Sequence, residues 1–191
     1  MGKGLLIVYA GASGVGKGTI MKELLKSNDN FRLSVSATTR SPRDGERNGI
    51  EYHFVSKDDF EKLINEDGLL EYASYCDNYY GTPKKAVFDM LEQGIDVFLE
   101  IEIKGFLQIK EKYPDCVTIF LLPPSMDELR RRLVGRGTET IDVINKRLDT
   151  AKEEITYADR FDYTVVNDNV DRAKNEILDI ISNIKNSKKE Y

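Results

Sequence analysis

Tryptophan is absent from the 191-residue sequence, and histidine and cysteine are nearly so, with one histidine (His53) and two cysteines (Cys76 and Cys116). That scarcity excludes several chemistries. A structural zinc site needs four Cys or His ligands at short spacings, and a hydrolase triad needs a histidine between nucleophile and carboxylate. Two distant cysteines suit a reducing, intracellular compartment better than a disulfide framework. Long apolar runs are missing as well. The run from Leu5 to Ala10 is too short for a secretory signal and leads straight into glycines. No stretch is long enough to span a membrane. Met1-Gly2 lacks the rest of a myristoylation signal, because position 6 is leucine. The expectation is a cytoplasmic chain with no membrane partner. A surplus of positive charge is lacking too: the net charge is −5, which argues against nucleic acid as a partner. Local arginine clusters remain able to hold a phosphate, and 40% hydrophobic residues suffice for a core without staples.

What is present is an alternation of strand and helix patterns without internal repeats. The run L-L-I-V-Y-A reads as a central parallel strand buried on both faces. A helix follows, with Ile20, Met21, Leu24 and Leu25 on one face. Residues 34–82 break the pattern with short strand-like pieces, turns and one helix around Phe60, Leu63 and Ile64, opened by a Ser56–Asp59 capping box. This segment reads as an inserted module of mixed sheet. Pro83 is placed at a first helical position, with Val87 and Leu91 on a face and Gly94 as the stop. Strands at 95–101, 117–122 and 163–166 then alternate with helices near 105–112, from Ser125, over 140–157 and through Ala173 to Ile184, leaving a loose polar tail. Such alternation predicts a parallel α/β core.

The first chemical signal is Gly11-Ala12-Ser13-Gly14-Val15-Gly16-Lys17-Gly18-Thr19, between the first strand and the first helix. It fits the phosphate-cradling pattern G-x-x-x-x-G-K. Glycines let backbone N–H groups turn inward around phosphates, and the helix N-terminus adds partial positive charge. Lys17 supplies a mobile full charge for the β- and γ-phosphates. A dinucleotide loop would read G-x-G-x-x-G and would have no use for the lysine. Gly18 removes the hydroxyl that usually holds magnesium, which leaves Thr19 as the metal-side hydroxyl. A second signal lies in the insert, where Arg40 and Arg43 stand in a Ser/Thr/Pro-rich turn before Tyr52. Guanidinium groups bind phosphate oxygens in pairs, although an arginine pair in a turn is also ordinary solvated charge.

The run S-A-T-T-R-S-P-R-D-G-E-x-N-G-x-x-Y-x-F, then L-L-E-Y, N-Y-Y-G-T, R-G-T-E-T, I-N-K-R-L and V-V-N-D, closely resembles the guanylate kinase family. The match extends from the glycine loop to about residue 185. The resemblance implies a P-loop parallel sheet core flanked by helices (1–33, 83–124 and 159–191), with 34–82 as a GMP-binding module and 125–158 as a helical lid. It implies ATP with Mg2+ as phosphoryl donor and GMP as acceptor. Ser36, Arg40, Arg43, Tyr52, Glu71, Tyr80 and Thr82 match the family's GMP contacts. Arg136 and Arg147 match the arginines that meet the transferring phosphates, with Lys17 and Arg43 sharing that charge, and Asn167 with Asp168 match the adenine side.

This sequence departs from the family pattern at Ala12, commonly proline, at Glu100 and Glu102, commonly aspartates, and at Lys104, commonly glutamine. Glu100 and Glu102 are expected on one face of their strand, as substrate-side carboxylates or as plain acids at a strand end. Read from the residues alone, Tyr80 also serves as packing and Thr82 as a helix cap. Two other identities share parts of the pattern. An adenylate-kinase-like enzyme shares G-K-G-T but not Glu71 and the arginine run, and a non-catalytic scaffolding module of the same fold lacks the loop lysine present here as Lys17.

Overall fold

The computed structural model describes residues 3–135, 137 and 139–187. Two sheets organise them. The larger has five strands in the order β2-β7-β1-β8-β9: β1 (Leu6–Gly11), β2 (Phe31–Leu33), β7 (Asp96–Glu100), β8 (Val117–Leu122) and β9 (Tyr163–Val166). Its β2–β7 and β8–β9 pairings are parallel, as the strand–helix alternation predicts. The smaller is mixed, in the order β4-β3-β6-β5: β3 (Ala37–Thr38), β4 (His53–Phe54), β5 (Leu69–Tyr75) and β6 (Asn78–Pro83). Here β3 runs parallel to β4 and antiparallel to β6, and β5 runs antiparallel to β6.

Seven helices connect the strands: α1 (Lys17–Ser27), α2 (Lys57–Asn65), α3 (Lys84–Glu92), α4 (Ile103–Lys112), α5 (Met126–Gly135), α6 (Ile141–Ile155) and α7 (Val170–Ser187). Each buries an apolar stripe, such as Ile20, Met21 and Leu24 of α1 or Ala173, Ile177 and Ile181 of α7. The cap signals hold: Ser56 Oγ accepts from the Asp59 amide at 3.1 Å, and Ser125 Oγ from the Glu128 amide at 3.1 Å. The small sheet has its own core, where Ala37, Phe60 and Leu69 are buried under Val55, Leu63, Ile64 and Tyr79.

The fold falls into two compact units, one built from the segment up to Val8 with Asn30–Val117, the other from Tyr9–Asp29 with the segment from Thr118 onward. Several boundaries differ from the sequence reading. Pro83 ends β6 and caps α3, so the helix opens at Lys84. Glu102 has left the strand and is the N-cap of α4, so it does not share a strand face with Glu100. And α7 continues past Ile184 to Ser187, whose hydroxyl donates to the Asn183 carbonyl at 3.0 Å. No described helix is long and apolar enough to cross a membrane.

Candidate active site

The second unit carries the glycine loop. β1 delivers Gly11 against the Leu121 backbone, where a β-carbon would lie 2.6 Å from the Leu121 carbonyl oxygen. The loop then turns through Gly14 and Gly16, whose φ angles of 82° and 99° side chains rarely adopt. α1 begins at Lys17, whose ammonium donates to the Gly11 carbonyl at 2.7 Å and to that of Ala12 at 3.4 Å. Lys17 is thereby folded back over its own loop rather than pointing to solvent.

Three side chains from later elements fix this loop. Asn167, buried at the end of β9, donates Nδ2 to the Val15 carbonyl at 2.7 Å. That same Nδ2 would lie 2.8 Å from a β-carbon on Gly16, so the position is closed to side chains by contact as well as by conformation. The Glu154 carboxylate accepts from the Ser13 amide at 2.7 Å. Arg147 donates Nε to Ser13 Oγ at 3.3 Å and pairs with Glu139 at 2.5 Å. Asp168 is exposed and turned elsewhere: Arg172, at 2.5 Å, holds its carboxyl below the usual range at the start of α7. Thr19 is exposed on the first turn of α1 beside Gly18, and Arg136 lies outside the described residues.

The first unit carries the arginine and glutamate cluster. Arg40 makes a two-pronged pair with Glu46, both contacts at 2.9 Å, and its guanidinium lies 5.4 Å from the Tyr52 ring and 5.7 Å from that of Phe54. The Arg43 amide also donates to Glu46, at 2.7 Å, while its side chain is exposed. Arg40 and then the Arg43 amide hold the Glu46 carboxyl below its usual range, and Glu46 raises Arg40. Tyr52 and Tyr80 meet edge-on with ring centroids 6.1 Å apart, and burial raises the Tyr52 phenol. Ser36 is half-buried at the entry to β3, its carbonyl accepting from the His53 amide at 2.8 Å.

Glu71 on β5 is 6% exposed, and its Oε1 accepts from the Thr82 hydroxyl at 2.7 Å. Burial pushes its carboxyl up, against the opposing Thr82 hydrogen bond and with a smaller push from the charge of Glu102. The carboxylate is thus held by Thr82 on one side and faces the α4 surface at Gly105 on the other, and a buried carboxylate is a costly group unless donors meet it. Glu100 is half-buried at the C-terminal end of β7, and Glu102 and Lys104 are exposed at the start of α4.

Thr82 is thus a hydroxyl partner of Glu71 and not a helix cap. The structure also brings in residues that motif reading misses. Glu46 and Glu139 stand inside the quoted motifs without a role assigned there, and here they pair with Arg40 and Arg147; Glu154, which meets the Ser13 amide, has no spacing that distinguishes it from a surface acid. Gly105 carries a faint signal, because a glycine inside a helix costs about 1 kcal/mol relative to alanine and so implies a close approach.

Residues 3–184 match the family model described as guanylate kinase. A guanylate kinase of Clostridioides difficile (strain 630) is 54% identical over 189 residues, covering 99% of this chain and 92% of that protein. One of Streptococcus pneumoniae (strain ATCC BAA-255 / R6) is 52% identical over 180 residues, covering 94% and 86%. The crystal structure of guanylate kinase from Anaplasma phagocytophilum superimposes with a TM-score of 0.74 at 32% identity, covering 95% of this chain and 86% of that one. A glycine loop with its lysine in one unit, a buried glutamate and a paired arginine in the other, and a family match along nearly the whole sequence converge: the chain belongs to the guanylate kinase family.

Proposed function

We propose that the chain is an ATP:GMP phosphotransferase of purine nucleotide metabolism acting in the cytoplasm, and that the residues above divide into donor and acceptor halves. The observation that carries the reading is the buried carboxylate of Glu71, hydrogen-bonded to Thr82. Guanine presents N1–H and the N2 amino group side by side, and a carboxylate accepts both. Adenine presents an acceptor at N1 and nothing at C2, so it would leave Glu71 buried and unpaired.

The nucleophile is a phosphate oxygen of GMP, largely deprotonated near neutral pH because its second pKa is about 6. No general base is needed. That oxygen attacks the γ-phosphorus of ATP in line; the bond to the β-phosphate bridging oxygen breaks, and ADP and GDP result. The obstacle is charge. In this reading Arg40, Arg43, Tyr52 and Tyr80 hold the GMP phosphate, with Ser36 and Thr82 on the guanine side. Lys17 and the loop amides from Gly11 to Thr19 hold the ATP phosphates, and Arg136 and Arg147 meet the γ-phosphoryl as it transfers. Asn167 and Asp168 serve the adenine side, and Glu100 and Glu102 line the acceptor side. The insert, 34–82, is the GMP-binding module, and 125–158 is the lid whose arginines couple water exclusion to charge neutralisation.

Among the described residues no group of three or more His, Cys, Asp or Glu could hold a metal ion. Mg2+ brought with ATP keeps several waters and takes one or two protein oxygens rather than a cage. In this reading Thr19, exposed beside Gly18, is the hydroxyl that would serve it. Bound there, the ion would neutralise β- and γ-phosphate charge.

A coupled ADP-release assay offering GMP, AMP, UMP and CMP in turn with Mg-ATP tests the reading. Turnover with GMP alone is expected. Equal turnover with AMP would remove Glu71 as the base selector.

A further inference from the structure

Glu71 does not position itself. It lies on β5, an edge strand of the small sheet, at an irregularity where the pairing with β6 shifts register between Leu69 and Tyr72. A bulge of this kind re-aims the side chain it carries, and an edge strand leaves one row of backbone groups without a strand partner. Both problems are met by one face of α4. Gly105 and Gln108 are three residues apart and so neighbours on that face. Gln108 takes over the strand edge: its Oε1 accepts from the Tyr72 amide at 3.2 Å, and its Nε2 donates to the Tyr72 carbonyl at 2.8 Å. This side-chain amide replaces the neighbouring strand at the residue that follows Glu71. Gly105 makes room for the carboxylate, since a β-carbon there would lie 2.6 Å from Glu71 Oε2, 3.1 Å from Cδ and 3.3 Å from Cγ.

We infer that Gly105 and Gln108 are specificity-determining positioning residues for guanine, which fix the Glu71 carboxylate through the backbone clamp at Tyr72 and the bare helix surface beside Oε2. The inference rests on the reading of Glu71 as the guanine acceptor. Oε1 is tied to Thr82, and Oε2, Cδ and Cγ fill the space that a β-carbon at position 105 would take. Any side chain at position 105 therefore displaces both oxygens by several tenths of an ångström, away from where N1–H and the N2 amino group require them. Loss of the Gln108 clamp loosens the bulge and spreads the same oxygens over several positions. Neither residue belongs to the glycine loop, so the effect is expected on the purine rather than on ATP.

The test compares kcat/KM for GMP with that for IMP, which keeps N1–H and O6 but lacks the N2 amino group. Three variants are measured against the unaltered chain: Gly105→Ala, Gln108→Met, which keeps the shape but makes neither hydrogen bond, and Glu71→Gln as the control. Circular dichroism and thermal melting report folding, and Gln108→Met keeps the test open should Gly105→Ala misfold. The GMP/IMP ratio is expected to fall about tenfold in Gly105→Ala and Gln108→Met, with KM for ATP within about twofold. A collapse of the ratio in Glu71→Gln alone would overturn the role of α4 and leave Glu71 as selector. No change in Glu71→Gln would overturn both readings. A loss of activity toward GMP and IMP in equal proportion would mean that Gly105 and Gln108 serve only the fold.

Discussion

The Ser13 amide gives its hydrogen to the Glu154 carboxylate at 2.7 Å, so a glycine-loop donor already faces an anion of the protein itself. Glu154 and Arg147 lie two turns apart on one face of α6, and both reach Ser13, one at its amide and one at its hydroxyl. A carboxylate beside a triphosphate repels it, and at a partly solvated site such repulsion amounts to about 1 kcal/mol or somewhat more. Glu154→Gln keeps the accepting oxygen and drops the charge. Its KM for ATP should fall about fivefold while KM for GMP stays put; an unchanged or raised KM for ATP would show that the carboxylate only shapes the loop.

Arg147 is oriented by Glu139 and Ser13, so its alanine variant removes a charge aimed by its neighbours. If that charge meets the γ-phosphoryl chiefly during transfer, Arg147→Ala lowers kcat by about 10² and raises either KM by much less. Steady-state kinetics with each substrate varied in turn separate the two. A rise in KM at constant kcat would make it a ground-state binder.

Lys17 touches the Gly11 and Ala12 carbonyls, whereas Glu71 is held by the Thr82 hydroxyl on β6. Lys17→Ala should accordingly bind GMP within about twofold of the unaltered chain by calorimetry, yet lose about 10² or more in kcat. Near-normal turnover would end the phosphate-loop assignment.

Glu71 carries a cost besides the selectivity proposed for it. Its carboxyl is raised in the folded protein by burial, so the fold binds its proton more tightly than the unfolded chain does. The sign follows: below the unfolded carboxylate range the group is neutral in both states and costs nothing, and stability is lost as pH rises through the raised folded value. Glu71→Gln, which can still accept from Thr82, should therefore melt at a higher temperature than the unaltered chain at pH 7 without ligand, and the gap should close toward pH 4. The same variant should lose about 2–3 kcal/mol of GMP-over-AMP discrimination, the scale of hydrogen bonds to a charged group. A lower melting temperature at pH 7 would show that the charge is compensated in the fold.

Asn167, assigned to the adenine side by resemblance, is 4% exposed and spends its Nδ2 on the Val15 carbonyl. Asn167→Ala should loosen the loop between Val15 and Lys17 and raise KM for ATP about tenfold, with GMP constants unaffected. An equal change for adenine and guanine triphosphates as donors would place its effect on the loop; a change confined to ATP would place it on the base.

Much of this was legible in the sequence because it is local. The glycine loop, the Ser56 and Ser125 caps and the strands Val117–Leu122 and Tyr163–Val166 follow from short-range patterning, and each lies where the periodicity puts it. Glu102 was misplaced because apolar alternation continues through Ile101 and Ile103, while the backbone turns into a helix at Ile103 under tertiary control. The pairings of Glu154 with Ser13 and of Gln108 with Tyr72 join residues far apart in the chain. Such contacts leave no periodic trace, and an acid or amide on a helix face reads as solvated until its neighbour is known.

The Arg40–Glu46 pair means that the insert carries its own counter-charge, with both side chains less than a fifth exposed. An arginine matched by a protein carboxylate gathers few mobile ions from solution and has few to release when a phosphate arrives. If Arg40 and Arg43 meet the GMP phosphate as proposed, the salt-sensitive share of binding falls to Arg43, whose side chain is exposed. The affinity should respond to ionic strength as if about one cation, not two, met the acceptor phosphate. An enzyme so built keeps its hold on a nucleotide across swings in cellular salt that would loosen a site of bare arginines.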